Sequence, residues 1–138
     1  LRFQNSNIQE ISRQTTKQPR QISIKHRSKM VLYNLTIAVE PQQSLEWLDY
    51  MRSTHIPQIM ETGCFIHFRI CQIPASGDNE STFAVQYTAP SMRHFERYET
   101  AFAPGLREDY QKRFGQNTGI FRTILQILDE GSAPMREL

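Results

Sequence analysis

The chain has 138 residues, 38% of them hydrophobic, with 16 basic and 14 acidic side chains and a formal charge of +2. That is about one domain's worth of sequence, and no stretch approaches the ~20 consecutive apolar residues of a membrane-spanning helix. The near-neutral balance hides two unlike segments: residues 1–29 carry seven Lys/Arg against the single acid Glu10, whereas the rest carries nine basic and thirteen acidic residues.

The basic leader, residues 1–29, has scattered apolar residues among Gln, Ser and Thr and no periodic face. Such a segment does not bury enough surface to offset the entropy of ordering. It is expected to be disordered and to lie outside the native domain, with Met30 as the natural start; it also lacks the apolar run of a secretory signal. The folded domain is expected over residues 30–130, with a frayed polar tail at 131–138.

From Met30 the periodicity is ordered. "VLYNLTIAVE" alternates, which predicts a strand, and Pro41 ends it. Ser44 is placed to cap a helix whose apolar stripe is Leu45, Leu48, Met51, His55, Ile56 and Ile59, with Gly63 as its stop. Within that helix "HIP" sets Pro57 where it has no N–H to give, so a bend or restart near His55 is expected, with Ile56 pushed from helical geometry.

A second strand, "CFIHFRICQI", and a third, "TFAVQYTA", flank the turn composition "PASGDNES" and read as a hairpin. Pro90 and Ser91 open a second helix along Met92, Phe95, Tyr98, Glu99 and Phe102. Ala103 and Pro104 interrupt it, and Leu106, Tyr110 and Phe114 extend it to Gly115. "GIFRTILQIL" is the last strand. Cys64 and Cys71, placed in the second strand about 23 Å apart at strand rise and on opposite faces, are not positioned to bridge; a reducing, cytoplasmic setting is expected.

The order βαββαβ predicts an α+β, ferredoxin-like fold: a four-stranded antiparallel sheet with two helices on one face and strands one and three central. Parity along the strands assigns Tyr33, Leu35, Ile37, Val39, Ile66, Phe68, Ile70, Phe83, Val85, Tyr87, Phe121, Leu125 and Ile127 to the helix-facing side. The open face is then expected to carry Asn34, Thr36, Gln86, His67, Arg69 and Arg122 as a polar strip, with Phe65, Ile120, Ile124 and Leu128 as apolar flanks. Such a mixed face fits a homodimer packed sheet to sheet through a self-complementary patch.

The stretches "MVLYNLTIAVE", "WLDYMRSTHIPQIMETGCF", "RICQI", "FAVQYTAPSMRHFERYE", "APGLREDYQKRFG" and "FRTILQIL" resemble the bacterial family known as domain of unknown function (DUF) family 4286 over nearly all of residues 30–128. The resemblance implies a small ferredoxin-like protein similar in build to the dimeric α+β barrel proteins, and it supplies no activity. The positions matching the family's motifs include His55, Pro57, Arg69, Gln86, Tyr87, Tyr98, Pro104 and Arg122.

Two functions are expected from different classes. One is a homodimeric module binding a small acidic or aromatic molecule, with Arg69, Arg122, Gln86, Asn34 and Tyr87 as ligand-binding candidates, since a guanidinium fork suits a small carboxylate or phosphate. The other is a cofactor-free enzyme of the dimeric α+β barrel type, monooxygenase-like or isomerase-like, with His55 or His67 as the base and an arginine stabilising an anion. Cofactors and metals are not expected, because the four histidines show no short-spaced ligand pair and no phosphate loop or nucleophile elbow occurs. Nucleic acid is not expected either, as strand three lacks the aromatic–glycine signature and the folded part is net acidic.

Overall fold

The computed structural model describes residues 29–74, 81–116 and 118–138; the predicted basic leader up to residue 28 and most of the predicted hairpin turn lie outside them. Four strands, β1 (Val31–Val39), β2 (His67–Gln72), β3 (Thr82–Ala89) and β4 (Thr118–Gln126), form one antiparallel sheet in the order β2-β3-β1-β4. The fold is α+β and ferredoxin-like, with β1 and β3 central as the sequence predicts. Alternation buries Val31, Tyr33, Ile37 and Val39 of β1 together with Phe83, Val85, Tyr87 and Ala89 of β3. Trp47, Ile56, Ile59, Phe95 and Phe114 of the helices close the core over that face.

Neither helix breaks at its proline. Helix α1 consists of Ser44–Tyr50 and Ile56–Glu61 joined by a π-helical turn, Met51–His55; helix α2 consists of Met92–Arg97 and Ala103–Phe114 joined by a π-helical turn, Tyr98–Phe102. The Ile56 N–H donates to the Met51 carbonyl, five residues back, and the Ala103 N–H donates to the Tyr98 carbonyl in the same way. Proline follows directly in each case, at 57 and 104. One extra residue in the turn gives the pyrrolidine ring room and accommodates the missing donor. Ile56 therefore keeps helical angles, φ −62° and ψ −46°, contrary to the expected restart.

The two halves repeat a further detail. Four residues before each proline a hydroxyl bonds back to a helix carbonyl: Ser53 Oγ to Asp49 at 2.6 Å and Thr100 Oγ1 to Glu96 at 3.0 Å. Such back-bonding lets a helix bend where its ladder changes register. Ser91 caps α2 by accepting from the His94 N–H, and α1 ends at Thr62 and Gly63, whose φ of 73° is the left-handed conformation that glycine adopts without steric cost.

The predicted stripe of α1 faces inward at Leu48, Met51, His55, Ile56 and Ile59 but not at its first position. Leu45 is 81% exposed, whereas Trp47 is fully buried and donates from Nε1 to the Tyr110 hydroxyl at 2.9 Å. Tyr110 passes the chain to Thr118 Oγ1, which donates to the Phe114 carbonyl, tying α1, α2 and β4 together.

Two parities also need correction. Because β1 pairs Ile37 with Ile120, Leu35 with Arg122 and Tyr33 with Ile124, those three β4 side chains share the helix-facing side, while Phe121 and Leu125 share the open face with Thr36 and Leu32. Alternation could not select between the two, since β4 is apolar at both parities. Phe65 and Ile66 are exchanged as well, because β2 begins at His67 and the lead-in does not alternate. Phe65 is buried against Tyr33, Tyr87 and Tyr98, and Ile66 is 61% exposed. At the β2 edge Phe68 and Ile73 are also exposed.

The Trp47–Tyr110 contact makes a direct prediction. Tyr110→Phe leaves the Trp47 N–H buried without its acceptor and is expected to cost about 1–3 kcal/mol in urea unfolding; a loss below about 0.5 kcal/mol would show that the hydrogen bond does not hold α1 to α2.

Candidate functional site

All five tyrosines of the chain, Tyr33, Tyr50, Tyr87, Tyr98 and Tyr110, are buried. Four of them line a cleft between the helices and the sheet, and Tyr50 stacks on His55, which lines it too, at a ring separation of 5.9 Å. The sheet contributes Leu35, Ile37, Val85, Ile120 and Arg122; the helices contribute Met51, Ile59, Arg107 and Gln111. The space measures about 470 Å³ counted to its open mouth, with about 30 Å³ of water-accessible room inside.

The π-helical turns position this site. His55 is the last residue of one and Tyr98 the first of the other, and both face the cleft. π-Turns recur at functional sites because the extra residue re-aims side chains that a regular helix would stack in line.

Two polar atoms in the cleft lining, the Tyr87 hydroxyl and His55 Nδ1, are buried with no hydrogen-bond partner among the described residues. Their residues are 1% and 9% exposed. Burial lowers the His55 pKa to about 4, with Asp109 opposing part of the shift, so the imidazole is neutral at pH 7. Burial likewise raises the pKa of Tyr50, Tyr87, Tyr98 and Tyr110, which remain phenols.

Charge in the cleft is uneven. Half-buried Arg107 forms an ion pair with Glu99 across the second π-turn and donates to the Tyr33 hydroxyl at 3.3 Å. Burial opposes its charge, but these two hydrogen bonds outweigh it and hold its pKa above the usual value. Arg122, at the β4 edge of the cleft, makes no side-chain hydrogen bond or ion pair with any described residue. Its charge still acts on Tyr98, in the direction that favours the phenolate.

The sequence-predicted candidates divide between two faces. His55, Tyr87 and Arg122 meet in the cleft. His67, Arg69 and Gln86 border a depression on the open face with Leu32, Ile66 and Glu130. Asn34 lies beside it, accepting from Gln86 Nε2 at 3.2 Å. Arg69 and Arg122 therefore do not flank one enclosed space, because pairing with Leu35 turns Arg122 to the helix side. Sequence reasoning passed over Tyr33, Tyr98, Tyr110 and Arg107. The signal was the set of tyrosines itself: a core needs rings, but five hydroxyls at inward positions ask for partners. Among the described residues no three His, Cys, Asp or Glu side chains gather as metal ligands would, and no helix is long and apolar enough to cross a membrane.

Solved structures of the same architecture are similar over most of the chain. HapK from Hahella chejuensis superposes with a TM-score of 0.58 at 10% identity, covering 76% of this chain and 99% of its own. A dimeric ferredoxin-like protein from an uncultured marine organism gives 0.57 at 12% identity, covering 75% and 98%. A variant of SnoaB, a cofactor-independent oxygenase from Streptomyces nogalater, gives 0.56 at 10% identity, covering 75% and 97%. At these identities the likeness is one of fold. No curated protein sequence matches the chain. Residues 30–128 match the family described as domain of unknown function (DUF4286), and the chain belongs to that family.

Proposed function

We propose that the protein is a homodimeric module that binds a small aromatic or acidic molecule in the cleft between its helices and its sheet. The observation that carries this reading is the pair of unpartnered polar atoms, the Tyr87 hydroxyl and His55 Nδ1, bordering one aromatic-lined cleft. Each such atom costs about 1–3 kcal/mol when it stays unpaired, and a ligand that hydrogen-bonds to them recovers that cost. Largely apolar walls with a few convergent polar groups are the usual make-up of a small-molecule site.

The likeness to SnoaB favours a second reading, a cofactor-free enzyme in which His55 takes a proton and an arginine stabilises the resulting anion. Against it, a pKa of about 4 makes His55 a weak base at pH 7, whereas general-base catalysis works best near the operating pH. That supports a hydrogen-bonding role and puts binding ahead of turnover. His67 lies on the other face of the sheet, away from this chemistry.

The dimer is proposed through the open face, where Phe121 is 70% exposed and Leu125 and Ile66 are also exposed around the Asn34–Gln86 pair. An apolar surround with a self-complementary polar centre suits a two-fold interface, and the dimeric ferredoxin-like neighbour supports it. Glu130 borders the same depression as Arg69, so it is the acid available to that arginine when the faces close.

Native mass spectrometry of the protein purified without denaturant tests both parts. The expected result is a dimer with a reproducible added mass per subunit, and Phe121→Asp is expected to give monomers that keep it. Loss of the added mass together with the dimer would place the ligand between the sheets and remove the cleft reading. A monomeric wild type would remove the dimer.

The neutral His55 has its own consequence. The unfolded side chain titrates near its ordinary value of 6.5 and the folded one near about 4, so between these values the unfolded chain holds the extra proton. Stability therefore falls as pH drops from about 6.5 to about 4, by at most about 1.4 kcal/mol per unit, and this contribution levels off below. His55→Gln is expected to shrink the loss between about pH 7 and pH 4.5 by about 2–3 kcal/mol in urea unfolding. Identical losses in both proteins would show that His55 is not held neutral.

A further inference from the structure

We infer that the ligand of the cleft is a single-ring aromatic carboxylate, held with its ring among the tyrosines and its carboxylate on Arg122; this rests on the cleft being the binding site. The charge inventory comes first. Of the two guanidinium groups that line the cleft, Arg107 is neutralised by Glu99, while Arg122 has no acid and no hydrogen-bond acceptor among the described residues. The imidazole is neutral and Tyr87, Tyr98 and Tyr110 stay phenols, so Arg122 is the uncompensated charge of the lining. Exposed at the rim, that charge is solvated and favours a monoanionic guest over a neutral or cationic one.

Position determines which end of the ligand meets it. Arg122 stands on the outer strand of the sheet opposite Leu35, exposed at the cleft's rim, whereas Tyr87 and Val85 stand on the central strand β3. A charged group thus stays at the wet edge, where its desolvation costs least, and the planar guanidinium offers a carboxylate two parallel N–H donors. The ring goes inward, between Tyr33, Tyr98 and Tyr110 and the aliphatic side chains of Leu35 and Ile120. Aromatic walls favour a planar guest through offset and edge contacts. A ring hydroxyl or comparable polar substituent would find the Tyr87 hydroxyl or His55 Nδ1 unoccupied.

Size favours one ring over several. A closed cavity of about 150 Å³ accepts a benzene, whereas the closed room of this cleft is about 30 Å³, so a ring enters from the open mouth only as the lining side chains give way. One ring with its carboxylate at the mouth asks for the least widening, and a fused polycycle would have to force the helices apart.

The test is an NMR titration of the full chain, following the methyl groups of Ile37, Ile59 and Ile120, with four probes: benzoate, 4-hydroxybenzoate, benzyl alcohol and hexanoate. Benzoate is expected to bind at least tenfold more tightly than benzyl alcohol, which lacks the charge, and than hexanoate, which lacks the ring; 4-hydroxybenzoate is expected to bind at least as tightly as benzoate. Arg122→Gln is expected to weaken benzoate at least tenfold and leave benzyl alcohol nearly unchanged, while Arg69→Gln on the other face changes neither. Equal binding of benzoate and benzyl alcohol, equal binding of benzoate and hexanoate, or unchanged benzoate binding in Arg122→Gln overturns the inference while leaving the cleft as a binding site. Silence of the cleft methyls toward all four probes removes the cleft reading with it.

Discussion

Each helix of this fold has to cross the sheet with a proline in its interior, and the way that constraint is met determines the site. A regular helix would clash at Pro57 and at Pro104 and would leave carbonyls unpaired. The i to i−5 bonds from Ile56 to Met51 and from Ala103 to Tyr98 absorb both problems without a break. Because a π-turn holds one residue more than an α-turn, His55 and Ile56 are both turned inward, as are Tyr98 and Ala103. The core keeps its aliphatic contacts while a histidine and a tyrosine face the cleft. The same device, with its hydroxyl four residues earlier, occurs once in each βαβ half.

Electrostatics in the cleft follows from that placement. Once the helices close over the sheet, water is displaced from the phenols and the imidazole, and the charged form of each becomes the unfavourable one. The half-buried charge of Arg107 is met within the chain by Glu99 and Tyr33. What remains is a neutral, hydrogen-bonding, aromatic interior with a cation at its rim. Such an interior discriminates by shape and hydrogen bonding at depth and by charge at the entrance.

Much of the architecture was legible in the sequence because it depends on short-range periodicity. β1 and β3 alternate cleanly, so their inward residues follow from parity, and Ser91 and Gly63 mark helix ends by their own chemistry. The last strand was not legible, since Ile120 and Ile124 compete with Phe121 and Leu125 for the inner face and only pairing with β1 decides. Arg122 was placed on the wrong face for that reason. The prolines were correctly seen as a disturbance, but whether a helix breaks or widens depends on whether the next turn still packs, and Ile56, Ile59 and Ala103 are all buried. Of the cleft's residues, His55, Tyr87 and Arg122 were named from sequence. Tyr33, Tyr98 and Tyr110 passed as ordinary core because their hydroxyls show in no hydropathy pattern.

One feature of the sheet has consequences beyond any single molecule. β2 and β4 are the outer strands, each with one side that pairs with no described strand, and Ile66, Phe68 and Ile73 stand exposed beside the β2 edge. Face-to-face pairing of two sheets covers neither edge. If β2 of one copy meets β2 of another, a two-fold closes and growth stops; if β2 meets β4, every addition leaves a fresh pair of edges and growth continues as a ribbon. Between a closed pair and a ribbon, the difference would lie in a few side chains at the rim of the sheet, remote from the cleft.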